Sequence, residues 1–300
     1  MPIIHPAVRT FFRLNGALIP AAATELAFRA FKSTGRPAEV KDPERAVHGQ
    51  SVSELRRIGT HTVRVYTWLP TQPSHSGEIA SSHLNATPTV LLLHGWRSRT
   101  SRFARLIEQF TSQGYRVVGF DAPGHGDSPN GSPSAADIVA IAQGLEESFG
   151  PWQAIVGHSF GALAAHTLAR SSKHSVRVVA IGGATSARFL RDTFMRAIDL
   201  PLHLKDQFTT RIVRGYPLPE GTLFTEFDEA IRPPSTNTRL LIVHDSKDRE
   251  VPLTEARQLH LDRPTNSELL ITDGLGHNRI LHDPEVVERI VDFVAEPILL

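Results

Sequence analysis

The sequence predicts an α/β fold: a doubly wound, mostly parallel sheet with helices on both faces. Two observations carry that expectation. From residue 89 onward, short apolar runs alternate with stretches whose apolar residues recur at helical spacing. The runs are continuous in Val, Ile and Leu, as strands covered on both faces require. Length fits as well: 300 residues suit one core of about 200–250 residues with appended pieces.

The first fifty residues read as a helical arm. Residues 8–18 and 21–31 carry apolar side chains at helical spacing, among them Leu26, Phe28 and Phe31, before Gly35, Pro37 and Pro43 break the pattern. Such a pair is expected to bury its apolar face on the main domain rather than offer it to a membrane or partner. Residues 53–58 and 63–68 then suggest two short strands paired antiparallel at a sheet edge. Residues 71–88, rich in Ser, Pro, His and Gly, read as a loop. Strands follow at 89–93, 116–121, 154–157, 177–181, 239–243 and 268–272, with helices near 101–113, 134–149, 160–171, 253–259 and 285–294. One interval breaks this rhythm. Between Ile181 and Arg239 the chain is far longer than a simple crossover needs, and 185–200 and 204–213 look helical, with Pro201 between them and Pro217, Pro219, Pro233 and Pro234 after. The expected organisation is an arm (1–50), a core (51–184 and 236–300) and a helical cap (185–235) inserted over the active end of the sheet.

Composition excludes several classes. Lys and Arg number 32 against 31 Asp and Glu, so nothing draws the chain to nucleic acid. There is no cysteine, hence no disulfide framework, thiol nucleophile or thiolate metal site. No apolar run is long enough to span a bilayer, and Asn15, Gly16 and Pro20 interrupt the stretch that loosely imitates a signal peptide. A cytoplasmic protein is expected, and a homo-oligomer is compatible with the sequence. No H-E-x-x-H appears, and no G-x-G-x-x-G or GK[ST] continues the Gly124/Gly126 segment, so neither a metal nor a cofactor is expected.

The chemistry points to a serine nucleophile. Gly157-His158-Ser159-Phe160-Gly161 is a G-x-S-x-G pentapeptide, weak alone. Here it follows the apolar run Ala154-Ile155-Val156 and opens the helical Ala162-Leu163-Ala164-Ala165, the strand–turn–helix setting that forces the serine out of a sharp turn. A hydroxyl needs a base. Among 15 histidines, His277 is preferred by position, between the last strand and the last helix. The base needs an orienting acid. Asp248 is preferred over Asp245, which lies nearer the strand end and is expected to organise the loop. Acyl transfer also needs oxyanion donors; the backbone N–H groups of Phe160 and of Trp96, in the loop after strand 89–93, are the candidates. Phe194, Met195 and Ile280 are candidate pocket residues.

Together these residues resemble the alpha/beta-hydrolase superfamily. The resemblance rests on His94-Gly95-Trp96, Asp121-Ala122-Pro123-Gly124-His125-Gly126-Asp127-Ser128, Gly157-His158-Ser159-Phe160-Gly161, Asp248 with Val251-Pro252, and Gly276-His277. It covers residues 52–300 apart from the cap. The chain order Ser159, Asp248, His277 is the order that resemblance implies. Arm and His244-to-Pro252 segment together are similar to a group of bacterial hydrolases described as esterases. The resemblance implies an alpha/beta-hydrolase fold and cleavage of a small or medium carboxylic ester through an acyl-enzyme. Thioesterase, carbon–carbon hydrolase, aminopeptidase and cofactor-free haloperoxidase activity remain alternatives, as does a non-catalytic ligand-binding protein. A nucleophilic aspartate, as in dehalogenases and epoxide hydrolases, does not occur at position 159.

Overall fold

The computed structural model describes residues 5–71, 87–172, 174–216, 222–229, 232 and 238–296. Most of the loop read at 71–88, together with Pro217, Pro219, Pro233 and Pro234, lies outside them. In chain order the elements are α1 (Pro6–Leu18), α2 (Pro20–Lys32), α3 (Arg45–Gly49), β1 (Val52–Ile58), β2 (His61–Trp68), β3 (Thr89–Leu93), α4 (Ala104–Ser112), β4 (Arg116–Asp121), α5 (Ala135–Phe149), β5 (Trp152–His158), α6 (Phe160–Ser171), β6 (Arg177–Ile181), α7 (Ala187–Ala197), α8 (Lys205–Arg214), α9 (Leu223–Glu226), β7 (Arg239–Asp245), α10 (Leu253–Leu261), β8 (Ser267–Thr272), α11 (Gly276–Arg279) and α12 (Pro284–Ala295).

The chain divides into two compact units. One comprises Thr34–Gly183 and Pro233–Leu300 and the other Met1–Ser33 and Ala184–Arg232. The larger holds an eight-stranded sheet in the order β1-β2-β4-β3-β5-β6-β7-β8. β1 and β2 are antiparallel to each other, and β2 runs antiparallel to β4. From β4 to β8 every neighbouring pair is parallel. Pleat parity explains the continuous apolar runs. Val90 and Leu92 of β3, with Val156, Val179 and Val243, face a layer built from α4 and α12. Leu91 and Leu93, with Ile155, Val178 and Ile242, face α5, α6 and α10. The central strands β3, β5, β6 and β7 therefore meet a helix layer on both sides, which their apolar runs require. Ser134 caps α5, accepting from the Asp137 N–H while the Asp137 carboxylate accepts from the Ser134 N–H.

The chain leaves β3 toward β4 on one side and returns to place β5 on the other. The strand order thus reverses between β3 and β5, and doubly wound sheets bind ligands at the carboxyl ends of the strands at such a point.

The smaller unit joins the arm to the insert. The apolar side of α2 buries Ala23, Ala27 and Phe28. Phe31 sets its ring edge against Phe194 and Phe208, at centroid distances of 5.1 and 5.8 Å. The Arg211 guanidinium lies 3.8 Å from the Phe28 ring centroid and donates to Glu25. The arm ends earlier than the sequence suggests. Residues 34–50 belong to the sheet unit: the Trp68 indole donates to the Val47 carbonyl at 2.7 Å, and buried Glu44 accepts from Ser101. An indole N–H and a carboxylate taken out of water need those partners, and they hold the segment there.

Candidate active site

Ser159 stands between β5 and α6 with φ 55° and ψ −117°. Side chains rarely adopt this left-handed backbone, at a cost of order 1–3 kcal/mol. The surroundings enforce it. The Ser159 N–H donates to the Ile181 carbonyl at 2.9 Å, and the adjoining Gly182 N–H to the Val243 carbonyl at 2.8 Å, extending the parallel ladder past the strand ends. Gly161 lets α6 approach β3 closely; a β-carbon there would stand 2.0 Å from the Leu93 carbonyl oxygen. Ser159 is thus the N-cap of the twelve-residue α6, where backbone N–H groups and the helix dipole favour negative charge.

The loop after β3 runs beside the serine. A β-carbon on Gly95 would lie 3.1 Å from Ser159 Cβ. The Trp96 ring meets the Phe160 ring edge to face at 5.4 Å, which ties the loop after β3 to the start of α6. His94 sets the orientation of the Gly95–Trp96 peptide. Its Nε2 accepts from the Ala122 N–H at 2.9 Å, so the proton sits on Nδ1, which donates to the Gly95 carbonyl at 2.8 Å. Burial, the largest influence, pushes the His94 pKa down, consistent with the neutral tautomer. In a trans peptide the N–H points away from the carbonyl, so fixing the Gly95 oxygen also fixes the Trp96 N–H.

His277 lies in the short α11 after β8, its side chain 7 % exposed, with Nδ1 2.7 Å from Asp248 Oδ2. The Asp248 side chain is 1 % exposed. Burial pushes its carboxyl pKa up, but the contact with His277 and the N–H groups of Val251 and Glu250 outweigh burial and leave it below the usual carboxylate range. Its Oδ1 accepts from those two N–H groups at 3.0 and 2.8 Å, leaving Oδ2 for the imidazole. Asp245 does a different job. It accepts from Thr272 Oγ1 at 2.7 Å, from the Leu275 N–H at 2.9 Å and from the Lys247 N–H at 2.9 Å, tying the loops after β7 and β8 together. Burial raises its pKa, yet those donors prevail and bring it to about 2.

The structure therefore pairs His277 with Asp248 and gathers Ser159, Phe160 and Trp96 at the carboxyl ends of the central strands. A β-carbon on Gly182 would lie 3.2 Å from His277 Nδ1 and 3.3 Å from Asp248 Oδ2, so the backbone that holds Ser159 also borders the imidazole. The pocket candidates fare differently. Ile280 is 1 % exposed and packs in the core layer with α12, because the turn after His277 points it inward. Phe194 stacks on Phe208 at 5.9 Å within the core of the smaller unit. Met195, 5 % exposed, borders a cleft of that same unit. Two further residues were not singled out as contributors. Glu250 brings Oε2 to 3.8 Å from His277 Nε2. Buried His158 donates through Nε2 to the His277 carbonyl at 2.9 Å. Burial first, and His277 second, take its pKa down to about 3, so it stays neutral. The position of His158 beside the serine was visible in the sequence, but its long-range partner was not.

A model of the alpha/beta hydrolase family matches residues 90–290. A pimeloyl-[acyl-carrier protein] methyl ester esterase of Chromobacterium violaceum is 38 % identical over 109 residues, 36 % of this chain and 41 % of that protein. A lysophosphatidylserine lipase of Danio rerio is 34 % identical over 118 residues, 37 % of this chain and 30 % of its own length. These matches span less than half of either relative. Among solved structures, an esterase of Pyrococcus furiosus superposes with a TM-score of 0.58 at 21 % identity, covering 87 % of this chain and 95 % of that one.

Proposed function

The chain belongs to the alpha/beta hydrolase family, and on that premise we propose that it is a serine hydrolase cleaving a small or medium carboxylic ester through an acyl-enzyme. Two observations support the proposal: a serine held at φ 55° on a strand–helix turn, and a buried imidazole, paired with a carboxylate at 2.7 Å, that borders Gly182, the residue after the one whose carbonyl holds the serine N–H. That two matching relatives are named as a methyl ester esterase and a lipase supports an ester as the substrate.

In the proposed reaction, Ser159 Oγ attacks the ester carbonyl while His277 Nε2 takes its proton. Asp248 keeps the other proton on Nδ1 and stabilises the imidazolium. The tetrahedral oxyanion accepts from the N–H groups of Trp96 and Phe160, each worth about 3–4 kcal/mol of transition-state stabilisation. His277 returns the proton to the departing alkoxide, an alcohol leaves, and Ser159 carries the acyl group. Water, deprotonated by His277, attacks the acyl-enzyme. The carboxylic acid departs, and Ser159 regains its proton.

A panel of p-nitrophenyl esters graded in acyl length tests this reading. The purified chain is expected to hydrolyse the shorter members and to lose that activity in His277→Ala. A protein inert to the whole panel overturns the proposal, as does a His277→Ala variant as active as the native chain.

A further inference from the structure

The smaller unit carries an exposed apolar surface on α1. On α1, Phe12 and Gly16 face inward, while Phe11, Leu14 and Leu18 stand on the opposite side, 41 %, 55 % and 77 % exposed. They recur at intervals of three and four residues, so they form one stripe. Ile19, at the entry to α2, and Leu26, on it, are exposed apolar side chains as well. Three large side chains in a row on a helix that has already buried its other face are not the scattered exposure of an ordinary surface.

Charge identifies the occupant. α1 contains Arg9 and Arg13 and no carboxylate. Arg13 also lines an open cleft in the same unit, together with Arg196, Lys205 and the exposed Leu202. The two carboxylates of that cleft are already engaged: Asp199 binds Arg9, and Asp192 binds Arg191 and Lys205. Across the unit, Met1–Ser33 with Ala184–Arg232, eleven Lys and Arg stand against eight Asp and Glu, whereas the rest of the chain holds 21 against 23. A second copy of this face would oppose arginine to arginine, which disfavours self-pairing. Arg13 stands about 100° around the helix from Leu14, so cations border the stripe along one side, an arrangement that suits the boundary between acyl chains and anionic headgroups.

We propose that α1 docks this protein on the surface of an anionic lipid bilayer, with Phe11, Leu14 and Leu18 inserted among the acyl chains and Arg13 and Arg196 against headgroup phosphates. The inference does not depend on the ester reaction.

Co-sedimentation of the full chain with vesicles tests it, using phosphatidylcholine alone and a 3:1 mixture of phosphatidylcholine and phosphatidylglycerol, about, in composition. The native chain is expected to partition onto the mixed vesicles about ten-fold more strongly than onto the neutral ones, and to be released by raised salt. The combined variant Phe11→Ser, Leu14→Ser, Leu18→Ser is expected to lose about ten-fold in partitioning, while a cooperative melting transition shows that it remains folded. Arg13→Glu is expected to weaken binding to mixed vesicles alone. A native chain that stays in the supernatant with both vesicles overturns the proposal. So does a triple variant that sediments like the native chain, or a native dimer that the triple variant converts to monomer without any change in vesicle binding.

Discussion

The Nε2–H of His158 donates to the main-chain carbonyl of His277 at 2.9 Å, and the two imidazoles lie 4.7 Å apart, centroid to centroid. The residue preceding the candidate nucleophile thus anchors the backbone of the candidate base. We predict that His158→Leu lowers kcat about ten-fold with little change in KM, because a displaced base is felt in the transition state more than in binding. His158→Gln, whose amide can donate from a similar position, should recover most of the loss. Native-like kcat in the Leu variant would count against this link.

The two aspartates of the loop after β7 should separate cleanly. Asp248→Asn keeps shape but removes the charge opposite His277, and kcat is expected to fall about 10⁴-fold in a folded protein. Asp245→Ala leaves three donors without their acceptor and should cost about 3 kcal/mol of stability. Ester turnover and urea midpoints on both variants decide it. A strongly impaired Asp245→Ala of native stability, or an active Asp248→Asn, reverses the assignment.

Acid stability should be set by buried histidines before carboxylates. Burial is the main cause that takes His158 and His166 down to about 3 and His125 to about 4. Their unfolded value is near 6.5, about where titration of the free side chain is centred. Between those values the unfolded chain binds protons that the native one does not, so stability falls as pH falls. The contribution is complete above about pH 6.5 and is lost toward the folded values, at up to about 1.4 kcal/mol per pH unit for each histidine. Asp245 and Asp248, with lowered folded values, lose theirs only below about pH 4. Urea midpoints between pH 7.5 and 4.5, about, should slope accordingly, and His166→Gln should flatten the slope. Identical slopes in the two proteins would exclude His166 as a contributor.

What could be read from the sequence was what is local. The turn at Ser159 is written in five consecutive residues, and the apolar runs of β3, β5, β6 and β7 state that both faces are covered. That Asp245 organises its loop was also accessible, since a residue at the strand end has loop donors within reach on either side. Phe194 and Ile280, pocket candidates by sequence, pack among apolar neighbours; burial depends on which side of a helix or turn meets a neighbour, and an apolar side chain suits a core and a pocket equally. The joining of arm and insert through Phe31, Phe194 and Phe208 brings distant stretches together with no shared motif. The approach of Glu250 to His277 depends on the turn that Asp248 builds with its own downstream N–H groups.

The most direct test is covalent labelling of the native chain by a fluorophosphonate, with peptide mass analysis, alongside ester turnover in Ser159→Ala. The account predicts one phosphonyl group on Ser159 and none on the variant, whose kcat should fall by about four orders of magnitude or more while its circular dichroism is unchanged. Labelling at another residue, or a folded Ser159→Ala variant that retains most of its turnover, would contradict it.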